Sequence, residues 1–160
     1  MSYAYDTIAD IIRLGEENNI SFGDVVLRYE LENYDRSEDA VVREIENRLD
    51  IFESSIQDGI AYAEKTASGM SGGQAAQLNG QTPRFMSDIA YKAMTYAIAV
   101  NEANAKMFRI VACPTAGSCG VMPGAVKAVA DHYQLDRATV VKGFLAAVSY
   151  THLTLPTTER

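Results

Sequence analysis

The chain has 160 residues and a net charge of −7, with 48% hydrophobic and 22% charged residues. These values fit one domain, or a piece of a larger one, with an ordinary core. An acidic chain without a basic cluster argues against nucleic-acid binding. No apolar run reaches the length of a membrane span, and two cysteines cannot build a disulfide framework. No basic segment followed by an apolar one opens the sequence, so a cytoplasmic, reducing location is expected.

Helical patterns follow one another along the chain. Asp6 is placed to cap a first helix carrying Ile8, Ile11 and Ile12, which stops near Asn18 and Asn19. Ser21 and Asp24 make a capping-box start for a second, with Val25, Val26 and Tyr29 on its apolar side. Ser37 caps a third, in which Val41, Ile45, Leu49, Phe52, Ile56 and Ile60 recur at helical spacing. Ser87 caps a fourth, through Ile89, Ala93, Met94 and Ala97 towards Met107. A fifth runs from Gly124 to Tyr133, and Asp136 caps a sixth through Val140, Phe144 and Leu145. The reading is all-α, with at most a short extended piece at 109–112.

Three places in this frame could carry chemistry. Residues 113–124 hold three glycines, two prolines, Thr115 and Ser118, a turn able to aim amide N–H groups at a small anion. No Lys follows the glycines, so this is not a phosphate loop. Residues 68–73 (S-G-M-S-G-G) place Ser68, Ser71, Gly69, Gly72 and Gly73 before a helix-compatible run, 74–78. The same residues suit a flexible helix connection. Asn101 and Asn104, three apart beside Glu102, share one face at the end of an Ala-rich helix and could orient a carboxylate or an ammonium. Cys113 and Cys119 are spaced C-x5-C, which matches neither a zinc nor a thioredoxin pattern, and both read as small residues packed around the turn. His132 stands alone late in its helix and reads as a surface or dipole residue.

Taken in order, these segments resemble one family, the alpha chain of iron–sulfur-dependent L-serine dehydratase. Residues 68–78 resemble its T-G-x-T-G-G-D/Q-A segment, with Ser68 where Thr is expected. Residues 100–107, V-N-E-A-N-A-K-M, resemble its A-x-N-E-x-N-A-x-M helix end. Residues 110–124 resemble its loop I-x-A-x-P-T-A-G-S-x-G-x-x-P-G, the most specific of the three. The likeness covers about residues 5–147, read as a partial alpha-chain domain.

The resemblance implies a helical alpha domain and a lyase that deaminates L-serine to pyruvate and ammonia with a [4Fe–4S] cluster and without pyridoxal phosphate. It implies a beta chain or domain as partner. An iron lacking a cysteine ligand would act as Lewis acid on the substrate; no residue here identifies the base, and no metal ligand is assigned. Substrate binding is placed on Ser68, Gly69, Ser71, Gly72, Gly73, Asn101, Asn104, Pro114, Thr115, Ala116, Gly117, Ser118 and Gly120. These elements are expected to converge, with N–H donors of 115–120 opposite the Ser71 hydroxyl, and Gly117 is expected to need positive φ. The cluster's cysteines are expected downstream of the loop, so this chain alone is expected to be inactive. Residues 148–157 resemble one reading frame of a transposon-end adapter used in DNA sequencing libraries, and 148–160 are read as a foreign tail, the helix pattern stopping after Ala147. Two other readings stand beside the lyase. One is a non-enzymatic helical interaction module. The other is a two-cysteine thiol site, which one markedly acidic thiolate would support.

Overall fold

The computed structural model describes residues 2–34, 36–113 and 115–149. Among them are seven α-helices and no strand: α1 (Ile8–Asn18), α2 (Phe22–Tyr34), α3 (Glu38–Ala61), α4 (Gln74–Leu78), α5 (Asp88–Ala105), α6 (Val121–Tyr133) and α7 (Arg137–Ser149), with a short 3-10 helix η1 (Ala116–Ser118). The chain is all-α, as its periodicities require, and the 109–112 piece is not a strand.

Local chemistry sets most helix ends. Ser21 and Asp24 form the expected box, with the Ser21 hydroxyl accepting from Asp24 N at 3.2 Å. Ser37, Ser87 and Asp136 each accept from a backbone N–H three residues on. At α1 the cap is Thr7 and not Asp6. The Thr7 hydroxyl accepts from Asp10 N, and the Asp10 carboxylate accepts from Thr7 N at 3.1 Å, so the reciprocal pair takes the helix start. α1 ends at Asn18, within the expected stop, and its C-cap Asn19 takes the left-handed region. α5 stops at Ala105, two residues short of Met107, whose φ of 65° cannot continue a helix. α6 starts at Val121, ahead of Gly124, because Pro123 falls in its first turn, where no intrahelical N–H is needed. α7 is helical through Val148 and Ser149, and Ser149 is buried. The remainder of the segment read as a tail, 150–160, lies outside the described residues.

The chain divides into two compact units. The first takes the described residues up to Glu46 and from Val141 onward. Its interior holds Ile11, Leu14, Val25, Val26, Val41, Ile45, Phe144 and Leu145. A Cβ on Gly23 of α2 would lie 2.4 Å from the Lys142 carbonyl oxygen, so glycine is what allows α2 and α7 to meet there. Asp24 pairs with Lys142 at 2.8 Å. Burial works to raise the Asp24 carboxyl, but hydrogen bonds from Lys142 and Ser21 outweigh it and hold the group below the usual range.

The second unit is Asn47–Val140. Its core joins Ile56, Ala75, Ala99, Val100 and Cys119, flanked by Ile60, Tyr96, Ile98 and Ile110. α5 is the central element, and three glycines bring neighbours onto it. A Cβ on Gly59 would lie 2.0 Å from the Ala99 oxygen, one on Gly120 2.2 Å from the Ala97 oxygen, and one on Gly124 2.7 Å from the Ala93 oxygen. The Ala-rich face of α5 and these glycines therefore allow backbone-to-backbone approach on two sides.

Candidate functional site

Both glycine-rich loops and the end of α5 belong to the Asn47–Val140 unit. Residues 62–73 leave α3 and fold back on themselves before α4. Thr66 N donates to the Ser71 carbonyl at 2.9 Å and Gly69 N to the Thr66 carbonyl at 2.8 Å. The Thr66 hydroxyl lies 3.1 Å from Ser68 Oγ and 3.5 Å from Ser71 Oγ, so both serine hydroxyls turn towards it. Gly69, Gly72 and Gly73 have φ of 71°, 119° and 87°. At the neck the chain is too close for side chains: a Cβ on Gly72 would lie 2.4 Å from Glu64 O, and one on Gly73 2.6 Å from Ala63 O. This is a compact loop whose ends touch. Its tip, with Ser68, Gly69 and Met70, is exposed.

The second loop is built differently. Pro114 lies outside the described residues. Thr115 caps η1: its hydroxyl accepts from Ser118 N at 3.3 Å, and Ser118 Oγ accepts from Thr115 N at 3.4 Å. The two hydroxyl residues thus satisfy each other's backbone. Ala116 and Gly117 open the 3-10 helix, so their N–H groups have no partner within it, and both residues are exposed. Gly117 does not have positive φ, and a Cβ there would meet only Thr115 Oγ1, at 3.9 Å. The expectation of a left-handed Gly117 is therefore corrected; a helical turn needs ordinary negative φ. Gly120 earns its place by packing, as described above.

The C-terminal turns of α5 hold both loops. Asn104 Nδ2 donates to the Ala116 carbonyl at 3.1 Å. Asn101 Oδ1 is 3.7 Å from Cys119 Sγ, while its Nδ2 bonds back to Ala97 O. The two amides do share one face, and that face meets residues 116–119. Glu102 points to the other loop. Its carboxylate accepts from Gly73 N at 2.8 Å, Gln74 N at 2.7 Å and Ala75 N at 3.3 Å. Glu102 is thus a site residue that the sequence motifs do not single out. The available signal was a single carboxylate in an otherwise apolar stretch, because a buried charge must find donors.

Cys113 and Cys119 are both buried and free. Cys113 Sγ lies 3.2 Å from Met122 Sδ. Burial pushes both thiols up, more than a distant Arg48 offsets at Cys113. That is the opposite of the acidic thiolate a redox site needs. A [4Fe–4S] cluster requires three or four thiolates, and the whole chain has two cysteines. Among the described residues no three His, Cys, Asp or Glu side chains gather as a metal site. The residues of this chain do not fit such a cluster. His132 is exposed in the last turn of α6, edge-on to Tyr133, as a surface residue would be.

A cavity of this unit beside α3 and α6, about 230 Å³, is lined by Leu49, Phe52, Pro123, Val126, Leu135 and their neighbours, and none of residues 62–73 or 115–120 borders it. No helix among the described residues is long and apolar enough to cross a membrane.

Comparison with known proteins bears on the family. Residues 17–155 match the family model described as serine dehydratase alpha chain, a match that runs past Ala147. The chain is 31% identical over 146 residues to the L-serine dehydratase alpha chain of Peptoniphilus asaccharolyticus, covering 89% of this chain and 50% of that protein. It is 27% identical over 149 residues to the probable L-serine dehydratase alpha chain of Bacillus subtilis (strain 168), covering 91% and 49%. A third relative, the probable alpha chain of Latilactobacillus sakei, is 40% identical over 63 residues, covering 39% and 30%. The chain spans about half the length of the first two relatives. It belongs to the serine dehydratase alpha chain family.

Proposed function

We propose that the chain is the substrate-cradling part of a cytoplasmic L-serine ammonia-lyase. The reaction removes the α-proton and the β-hydroxyl of L-serine as water. The resulting 2-aminoacrylate tautomerises to an imine, which takes up water and releases ammonia and pyruvate. The parent enzyme is read as dependent on a [4Fe–4S] cluster and not on pyridoxal phosphate. Since two cysteines cannot hold the cluster, its thiolates would come from outside these 160 residues. A beta chain or domain completes the enzyme, and neither nucleic acid nor membrane is a partner.

The observation that carries this reading is the shared anchorage of the two loops. One stretch of α5 holds 73–75 through Glu102, Ala116 through Asn104 and Cys119 through Asn101. In this reading the N–H groups of Ala116 and Gly117, at the exposed start of η1, receive the substrate carboxylate. Ser71 and Gly72, at the return of the first loop, close over the rest of the molecule, with Ser68, Gly69 and Gly73 shaping that loop. Thr115, Ser118 and Gly120 hold η1 in place, and Pro114 is assigned to the same loop.

The test uses the parent protein with its beta partner, reconstituted anaerobically with iron and sulfide. It is expected to form pyruvate from L-serine, and the 160-residue chain alone is expected to form none. Stoichiometric cluster absorbance with turnover by the short chain would overturn the reading. In the active parent, Ser71→Ala and Gly117→Val are expected to lower turnover with the fold retained. Gly117→Val should be the more severe, because a branched side chain stands where the carboxylate must approach.

A further inference from the structure

α4 has five residues, and its N-cap, Gly73, has no side chain to bond its first N–H groups. The N–H groups at its start still need acceptors. A carboxylate from a different helix supplies them. Glu102 is 3% exposed, and its two oxygens divide three donors: Oε2 takes Gly73 N, and Oε1 takes Gln74 N and Ala75 N. One turn further along α5, Lys106 Nζ lies 3.7 Å from Glu102 Oε2, and its side chain is 10% exposed. The same ammonium donates to the carbonyl oxygen of Tyr62, the residue just after α3. The Tyr62 ring also stacks near Phe108, with centroids 4.9 Å apart.

Residues 62–73 therefore leave and rejoin the body of the unit at one place. Lys106 holds the outgoing strand of the neck through Tyr62 O, Glu102 holds the returning strand through 73–75, and the two side chains pair with each other. Between these anchors Thr66 bonds to Ser68 and Ser71 within the loop, and Gly72 N donates to the Gln74 side chain at 2.8 Å on the returning side. A buried carboxylate that accepts from three backbone donors and stands beside an ammonium is placed to hold geometry.

We infer that Glu102 is a positioning residue for substrate binding: with Lys106 it sets the place of the 68–73 loop relative to η1. The inference rests on the lyase reading for its kinetic readout. The consequence is specific. Gln at 102 matches the size of Glu, but it must turn an NH2 towards either backbone N–H groups or the Lys106 ammonium. Asp keeps the charge yet withdraws it by about one bond length, so it cannot keep all three donors.

The experiment uses the full parent with its beta partner. Glu102→Gln and Glu102→Asp are compared with the natural protein by steady-state kinetics on L-serine and by amide hydrogen exchange. Glu102→Gln is expected to raise KM about tenfold or more while kcat stays within about twofold, the pattern of lost ground-state positioning. Exchange at Gly73, Gln74 and Ala75 should quicken by about tenfold or more, with the Ser118 amide unchanged, since that amide is held by Thr115. Glu102→Asp should lie between the two proteins in KM, and it carries the test if the Gln variant does not fold. Unchanged exchange at 73–75 overturns the anchor. Faster exchange with unchanged KM overturns the positioning role, as does a fall in kcat at constant KM. A natural parent inactive on L-serine removes the lyase reading and the kinetic role with it, while the exchange comparison still decides whether Glu102 holds the loop.

Discussion

The two glycine-rich loops look alike in sequence and use glycine for opposite reasons. In the first, Gly69, Gly72 and Gly73 supply positive φ, and two of them also sit where the neck leaves no room for a Cβ. In the second, no glycine has positive φ; Gly120 and Gly124 are there so that the start of α6 can press against the backbone of α5. Gly117 needs neither, since a Cβ there would make only an ordinary contact with Thr115 Oγ1 at 3.9 Å. The first loop is thus shaped by its own backbone and hung from Glu102 and Lys106. The second is shaped by hydroxyl capping and by the helix it precedes. A glycine count cannot tell these cases apart, because backbone angle and neighbour distance are set by different partners.

The sharpest way to break that comparison is Gly120→Ala. Its Cβ would fall 2.2 Å from Ala97 O and 2.9 Å from Asn101 Nδ2, so α5 and α6 must separate. We expect a loss of about 3 kcal/mol, read as a lower midpoint in urea unfolding. A loss under about 1 kcal/mol would mean that the contact relaxes freely and that packing does not explain the glycine.

Within the first loop, Gly73→Ala and Gly69→Ala separate the two roles of glycine. Both positions have positive φ, but only Gly73 also meets a backbone oxygen, Ala63 O at 2.6 Å. The expected losses are about 2 kcal/mol at Gly73 and about 1 kcal/mol at Gly69, by the same unfolding measurement. Equal losses would show that φ alone matters and that the neck is not tight. At Gly117 the same substitution should change stability by less than about 0.5 kcal/mol, since neither strain nor contact opposes it. A larger loss there would assign Gly117 a structural role and weaken its reading as the place where substrate approaches.

The smallest expected signal is chemical. Cys113 and Cys119 are buried, and burial raises both thiols. Iodoacetamide at neutral pH should leave both unmodified in the folded chain and modify both after unfolding, as mass spectrometry would show. Rapid labelling of Cys119 in the folded state would mean that the turn at the start of α6 opens easily, which would erase the contrast between a packed second loop and a suspended first one.

Much of the fold could be read in advance because it is local. The hydroxyl and carboxylate caps at Ser21, Ser37, Ser87 and Asp136 act on amides three residues away. The spacing of Val41 through Ile60 states a helix face directly. Sequence and structure differ where two local solutions compete. Thr7 displaced Asp6 because it can exchange bonds with Asp10. The start of α6 moved ahead of Gly124 because proline is harmless in a first turn. The motifs were legible in the candidate site as well, including Asn101 and Asn104 on one face. Their partners were not, since a side chain that serves a backbone nearly thirty residues away leaves no trace in spacing.

The sequence by itself determined the helical class and most helix ends, because periodicity and capping act over a few residues, and the family through the resemblance of three short motif segments. Only the tertiary structure decided that Glu102 and Lys106 hold the neck of residues 62–73, that Gly117 is an ordinary turn residue, and that Gly59, Gly120 and Gly124 exist to let helices meet. The physical reason is common to all of these. They depend on which atoms stand within a few ångströms across long separations in the chain, and that proximity exists only once α5 has its neighbours in place.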